Sequence, residues 1–388
     1  MRVLGFMSGT SLDAVDMAIL ETDGEAITAY GPAGERKLSP ETRAVVMRAT
    51  EAALAWPRGT PRPAVFEDAA RAVAEEHLGA AREFLATHSL SAMDLDLVGF
   101  HGQTVLHERP NADRIGRTIQ LGDASILAAG LGVPVAYDFR SADVAAGGEG
   151  APLAPIYHAA LARMAGLATP VAVLNLGGVA NITLIGADGE MLAYDTGPAN
   201  GMIDLWVQAK TGARYDAEGR LAAAGRVDAQ ALAALLAHSY FLAMPPKSLD
   251  RYDFPLKPVE RLSLEDAAAT LTAFTAEAIA MAVRVAPAAP TVLIACGGGR
   301  HNPALMAAIR ARAGVPVKSA EDVGWRGDSI EAEAFAYLAA RTARSLPISF
   351  PGTTGVMAPM TGGVIFLSPL AGEGGARPRN GREDEGSH

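Results

Sequence analysis

Val3-Leu4-Gly5-Phe6-Met7, followed at once by Ser8-Gly9-Thr10-Ser11, is an apolar run broken by a turn of glycine and hydroxyls. A second apolar run, Ala14 to Leu20, follows and ends at Thr22-Asp23-Gly24-Glu25. The layout returns later in the chain. Val171-Ala172-Val173-Leu174-Asn175 leads into Leu176-Gly177-Gly178-Val179, and the run Ala180 to Ile185 then ends at Ala187-Asp188-Gly189-Glu190. Each copy reads as strand, glycine turn, strand and Asp-Gly turn: a β-hairpin followed by the start of another. The copies lie about 165–170 positions apart, which suggests duplication of one α/β unit, although two hairpins also suit an α/β protein without it.

The segments between the copies alternate in period. Pro40 to Leu54 and Val65 to Leu85 carry apolar residues at helical spacing, separated by the proline-rich stretch from Trp56 to Pro63. Leu95 to Phe100 and Val133 to Tyr137 read as strands. After the second hairpin, Asn200 to Lys210, Asp228 to Leu236 and Ser263 to Val285 read as helices, the last with Ser263 as N-cap ahead of Glu265 and Asp266. Thr291 to Ala295 reads as a buried strand, and Pro303 to Arg312 and Ser329 to Arg341 as helices. From Ala371 to His388 the chain is glycine, proline and charge, a composition that predicts a disordered tail.

Composition narrows the function classes. The 388 residues are 49% hydrophobic and 20% charged, as expected for two globular domains. The formal net charge of −10 argues against a nucleic-acid or anionic-membrane surface, either of which needs a basic footprint. One cysteine, Cys296, permits no internal disulfide and no cysteine-built metal site, and suits a reducing compartment. The N-terminal apolar run is too short for a signal peptide, so a cytoplasmic location is expected. The longest uncharged stretch, Met164 to Ala187, is broken by Pro170, Gly177 and Gly178 and reads as buried strands, not as a membrane span.

Four segments carry chemistry. Gly9-Thr10-Ser11-Leu12-Asp13-Ala14-Val15-Asp16 sets a glycine and two hydroxyls at a bend, donors suited to a phosphate, with Asp13 and Asp16 as oxygen ligands for Mg²⁺. An ordinary polar turn fits the same octet. Gly177 and Gly178, in the matching turn, permit close approach of backbone to a ligand; two such turns facing one cleft would grip a triphosphate from both sides. Gly297-Gly298-Gly299, between a strand and a helix, offers a flat backbone surface for a nucleotide, yet neither the Rossmann nor the P-loop pattern occurs in the chain. Asp195, in Tyr194-Asp195-Thr196-Gly197-Pro198-Ala199-Asn200, is placed at the mouth of the sheet as a candidate general base or a turn cap. His101-Gly102-Gln103-Thr104, Asp138-Phe139-Arg140 and Gly147-Gly148-Glu149-Gly150-Ala151-Pro152 are unusual for surface loops. His101 and His107 read more readily as structural histidines than as metal ligands, since no zinc spacing is present. Arg140 and Lys247 suit substrate anions or surface ion pairs, and Glu331 a cleft or a solvated helix face.

Taken in order along the chain, these segments, with Pro246-Lys247-Ser248 and Cys296-Gly297-Gly298-Gly299, resemble the anhydro-N-acetylmuramic acid kinase family. The resemblance covers nearly the whole chain except the tail. It implies an α/β, two-domain actin-like, sugar-kinase and Hsp70-type ATPase fold with a duplicated core and an interdomain cleft. The first domain would span 1–144 plus about 350–368 and the second 145–349. It also implies ATP and Mg²⁺, an amino sugar as substrate and a homodimer. Gly9 to Asp16 match the family's ATP-phosphate motif, Asp195 its catalytic base, and Gly297 to Gly299 the place where the fold meets adenosine. Gly177 and Gly178 are expected at ATP, and His101, Arg140, Gly197, Asn200 and Glu331 at the sugar. The chain departs from the family with Ala14 for a usual glycine, Glu149 for a common glutamine and Ala199 for a second glycine. A simple amino-sugar kinase, or an actin- or Hsp70-like ATPase, is the alternative reading of the same fold.

Overall fold

The computed structural model describes residues 1–367 apart from 112, 246, 248 and 250–252. The expected tail, and Pro246 and Ser248 of the family motif, lie outside the described residues. The first hairpin is a three-stranded antiparallel meander of β1 (Arg2–Ser8), β2 (Ala14–Thr22) and β3 (Ile27–Lys37). Strand β4 (Leu97–Glu108) lies parallel to β1, β5 (Arg117–Leu121) folds back antiparallel on β4, and β6 (Val135–Tyr137) runs parallel to β4. The second hairpin repeats the plan with β7 (Val171–Leu176), β8 (Val179–Ile185) and β9 (Met191–Pro198). Strands β10 (Leu293–Cys296) and β11 (Val317–Ser319) follow, each parallel to its neighbour. Strand β12 (Val364–Phe366) closes the edge of the first sheet on β6.

The order β6-β4-β1-β2-β3 in one sheet is thus repeated as β11-β10-β7-β8-β9 in the other. This twice-built order is the duplicated core of the actin-like, sugar-kinase and Hsp70-type fold. Duplication, left open by two hairpins alone, is settled by the strands that follow each of them.

Glycine at two paired positions explains how the units meet. Gly5 of β1 lies opposite Gly99 of β4, and the helix Ile330–Ala343 rests on both. A Cβ at Gly5 would come within 2.0 Å of the Ala332 carbonyl oxygen, and one at Gly99 within 2.3 Å of that of Phe335. Only glycine admits so close an approach of helix to sheet. That helix falls in the range 145–349 expected for the second domain, yet it packs on β1, β2 and β4 of the first sheet. Its alanine-rich face is flat enough to lie across the glycine pair. The helix Leu264–Arg284 covers the second sheet, with Ser263 Oγ accepting from the Asp266 amide at its N-cap. Among the described residues it is the one helix long and apolar enough to cross a membrane, and it is largely buried inside the fold.

Two expectations change. The strand expected to end at Phe100 continues through His101-Gly102-Gln103-Thr104 to Glu108, held by the β5 hairpin, with Gly102 in the left-handed region. Asp195 lies inside β9 and not at its mouth. The strand continues through Gly197 and Pro198, which is tolerated because β9 is an edge strand and needs no second partner for the proline.

Candidate active site

The site begins with a row of side chains across the second sheet. Cys296 pairs with Asn175, Asn175 with Asn181, and Asn181 with Asp195, so directly opposed residues on four strands share one face. Asn181 Nδ2 donates to Asp195 Oδ1 at 3.1 Å, and the Leu249 amide donates to Oδ2 at 2.7 Å. The Asp195 amide donates to the Lys247 carbonyl at 3.0 Å, and its carbonyl accepts from the Tyr240 hydroxyl. Burial pushes the Asp195 carboxyl above the ordinary range, opposed by the hydrogen bonds from Asn181 and Leu249 and by the charge of Arg109. A carboxylate so placed is a better proton acceptor than one in water.

Asn175, Asn181 and Gly177 form one wall of a cavity of about 420 Å³, and Asp16, Arg140 and Glu331 line its other parts. Asp16 lies between Met7 and Glu35 in the first sheet. Burial, and then the charges of Glu331, Glu35, Asp13 and Asp328, push its carboxyl up to about 7. Glu331 lines the cleft and accepts from Asn175 Nδ2 at 3.4 Å; burial raises its carboxyl, while Arg140 and the Asn175 hydrogen bond hold it down. Arg140 Nη1 donates to the Gly150 carbonyl at 2.7 Å, and Nε to His101 Nε2 at 3.0 Å. Burial brings the guanidinium down to about 10, with Glu331 and Asp143 opposing, so it stays charged at neutral pH. A larger cavity of about 680 Å³ opens beside β4 and β5, but Asp16, Arg140, Asn175, Asn181 and Glu331 are absent from its walls; Asp195 lines neither space and meets the smaller one through Asn181. The candidate side chains Asp16, Arg140 and Glu331 therefore gather around the smaller space.

The phosphate-loop candidate is a tight turn in which the Leu12 amide donates to the Gly9 carbonyl at 3.2 Å. Leu12 sits at φ +54°, a left-handed backbone that is uncommon for leucine. Gln103 Nε2 donates to the Gly9 carbonyl at 3.1 Å, which ties the turn to β4. Asp13 Oδ1 accepts from Ser11 Oγ at 2.7 Å and from the Ala14 amide at 3.0 Å, so it shapes the loop. Ala14 and Val15 are already strand and buried, and Thr10 and Ser11 are exposed.

The triple glycine meets the second hairpin turn. A Cβ at Gly297, at φ +75°, would fall 2.2 Å from Asn175 Oδ1, and one at Gly299 2.7 Å from Asn200 Nδ2. Arg300 locks the loop in place. Its buried guanidinium pairs with both Glu321 and Asp328 at 2.8 Å and donates to the Gly297 carbonyl at 3.0 Å. Beside Gly298 lies a further cavity of about 340 Å³, bounded by Asn200, Tyr215, Asp216, His301 and Asn302.

Three residues expected at the sugar are engaged by the protein itself. His101 is buried, with Nδ1 bonded to the Gly102 carbonyl at 2.7 Å and Nε2 to Arg140. Burial, then Arg140, keeps the ring neutral. Asn200 Nδ2 donates to the Leu176 and Gly177 carbonyls, and Gly197 faces Ala278 of the core helix. Lys247 Nζ donates to the Tyr240 carbonyl at 3.0 Å and lies 4.5 Å from the centre of that ring. The roles of Asn181, Tyr240, Leu249 and Arg109 were not read from the sequence. Only Asn181 had a signal: it alternates with Thr183 against apolar Ala180, Ile182 and Leu184.

The profile of the family described as anhydro-N-acetylmuramic acid kinase matches residues 1–368. The anhydro-N-acetylmuramic acid kinase of Caulobacter vibrioides is 69% identical over 365 residues, covering 94% of this chain and 98% of that protein. That of Phenylobacterium zucineum is 65% identical, covering 94% and 99%. Among solved structures, component A of the (R)-2-hydroxyglutaryl-CoA dehydratase of Acidaminococcus fermentans covers 89% of this chain and 99% of its own at 16% identity. Its TM-score is 0.45. Identity near 70% along almost the full length of both chains leaves no room for a different family: this chain belongs to the anhydro-N-acetylmuramic acid kinases.

Proposed function

We propose that this protein is an ATP-dependent kinase that opens the 1,6-anhydro bridge of 1,6-anhydro-N-acetylmuramic acid with water and phosphorylates O6. The products are N-acetylmuramic acid 6-phosphate and ADP, which places the enzyme in recycling of peptidoglycan and catabolism of amino sugars. The observation that carries the reading is Asp195, held at both oxygens beside a cleft walled by carboxylates and glycine turns, in a chain of this family.

Asp195 takes a proton from water as the water oxygen bonds to C1. The C1–O6 bond breaks and its electron pair stays on O6, which attacks the γ-phosphorus; the bond to the β-phosphate oxygen breaks and ADP leaves. The Thr10 and Ser11 amides of the first turn and the Gly178 amide cradle the phosphates, Gly177 lets the second turn approach them closely, and Gly297 to Gly299 bear the adenosine, with the space beside Gly298 to receive it. Arg140, oriented by His101, supplies fixed positive charge in the cavity. Asp16 fits Mg²⁺: burial and neighbouring carboxylates make its own charge unfavourable, and a divalent cation relieves that repulsion. Asp13, engaged within its loop, would reach the ion through water. When bound, Mg²⁺ offsets the charge on the transferring phosphate. The proposed domains are 1–144 with about 350–368, and 145–349, with the helix Ile330–Ala343 going with the first of them because it packs on that sheet. The cytoplasmic location and homodimer rest on the family resemblance.

ADP release with 1,6-anhydro-N-acetylmuramic acid, N-acetylmuramic acid and N-acetylglucosamine tests this reading. ADP is expected with the anhydro sugar only, and the Asp16→Ala variant is expected to need more Mg²⁺. ADP formed with a non-anhydro sugar would mark a simple amino-sugar kinase. ADP formed equally without sugar would mark an ATPase of the actin or Hsp70 kind.

A further inference from the structure

Four contacts fix Asp195, and three of them come from outside the sheet. The Tyr240 hydroxyl, the Lys247 carbonyl and the Leu249 amide belong to a segment that lies along the free edge of β9. Asn181 alone reaches Asp195 from within the sheet, across the β8–β9 pair. Leu249 is buried and does not line the cavity, whereas Asn181 does. The two carboxylate oxygens are therefore unequal. Oδ2 is turned toward the edge segment, and Oδ1 toward the residue that walls the cavity. The Asn181 side-chain oxygen has no donor among the described residues.

We propose that Asn181 is a positioning residue for the base. Its amide N–H presents Oδ1 of Asp195 to the cavity as the proton-accepting oxygen, and its side-chain oxygen accepts from the water that attacks C1. One planar amide then aligns the base and the nucleophile together, which fixes the direction of the O–H that is broken. The inference rests on Asp195 acting as the base.

Other charged and titratable groups surround Asp195. Tyr194 adjoins it on β9, Tyr240 and Lys247 lie on the edge segment, and the charges of Arg109 and Glu149 act on it from the first half of the chain. All of them remain in an Asn181→Leu variant, which keeps the side-chain size and loses both polar atoms. That variant is expected to lose about a hundredfold in kcat while KM for ATP stays unchanged. The acid limb of its kcat/KM profile should move to higher pH, because the lost N–H had favoured the ionised carboxylate. Asn181→Gln should recover part of kcat, whereas Asn181→Ser, too short to reach Asp195, should not; the serine variant also serves if the leucine variant fails to fold. A kcat within about threefold of the wild type, or an acid limb that does not move, overturns the proposal. Asp195→Asn is measured alongside. If it is inactive while Asn181→Leu is normal, the role of Asn181 fails alone; if both are normal, the reading of Asp195 as the base fails.

Discussion

Replacing Asp195 by asparagine is expected to lower kcat by roughly a thousandfold, within the range that general-base catalysis supplies. Asparagine keeps the shape and one acceptor oxygen, so either the Asn181 or the Leu249 contact persists and β9 has no reason to move. What is lost is the capacity to take a proton from water. ATP binding should survive, because the Gly297–Gly299 loop is held by Arg300, Glu321 and Asp328 and makes no hydrogen bond to Asp195. Turnover by ADP release and ATP binding by calorimetry check the two halves of the expectation. Turnover within tenfold of the wild type would remove Asp195 from the mechanism. The wild-type rate should also fall on acidification at a pH above the usual carboxylate range, since burial raises this carboxyl and the base must be ionised.

The second large effect concerns stability. Glu333, fully buried on the helix Ile330–Ala343, accepts from Arg326 Nε and, at 2.6 Å, from the Tyr157 hydroxyl. Arg326 also donates to the Gly31 carbonyl in β3 and stacks 4.5 Å from the centre of the Tyr30 ring. The cluster therefore joins the first meander to the helices Pro155–Met164 and Ile330–Ala343. Arg326→Met leaves a buried carboxylate without its counter-ion, and a loss of about 3–5 kcal/mol is expected. The folded-state carboxyl is already raised by burial, and without Arg326 it rises further. A raised carboxyl contributes stability below its unfolded value, near 4.3, and loses it as pH climbs through the folded value. The deficit should therefore be larger at pH 8 than at pH 5 by denaturant unfolding. Adding Glu333→Gln to Arg326→Met should restore part of the loss, since no buried charge remains. An equal deficit at both pH values would contradict this account.

The hairpins were legible because strand patterns alternate and their turns are marked by Asp-Gly pairs: Gly24 and Gly189 do sit in the left-handed region where those turns need them. Ser263 was legible as a cap for the same local reason. The continuation of β4 past Phe100 was not, because its polar run His101-Gly102-Gln103-Thr104 is held in strand form by β5, more than a dozen residues away. Docking of the helix Ile330–Ala343 on the first sheet likewise depends on Gly5 and Gly99, hundreds of positions earlier in the chain. At the site, residue types and order pointed to Asp195 and Asp16. The partners of Asp195 could not be read, because Asn181, Tyr240 and Leu249 meet it only through cross-strand register and an edge segment. His101 and Asn200 show a further limit of reading motifs. Their place in a motif suggested contact with substrate, and it could not reveal that both His101 ring nitrogens and Asn200 Nδ2 bond to the protein.

The central claim is that water opens the sugar before phosphate reaches O6. Turnover of 1,6-anhydro-N-acetylmuramic acid in ¹⁸O-labelled water, with the product read by mass spectrometry immediately on formation, tests it most directly. One labelled oxygen at C1 of the sugar phosphate and none in the phosphoryl group is the predicted result, with unlabelled ADP. Label in the phosphate, or a phosphorylated sugar formed with the anhydro bridge intact, would contradict it.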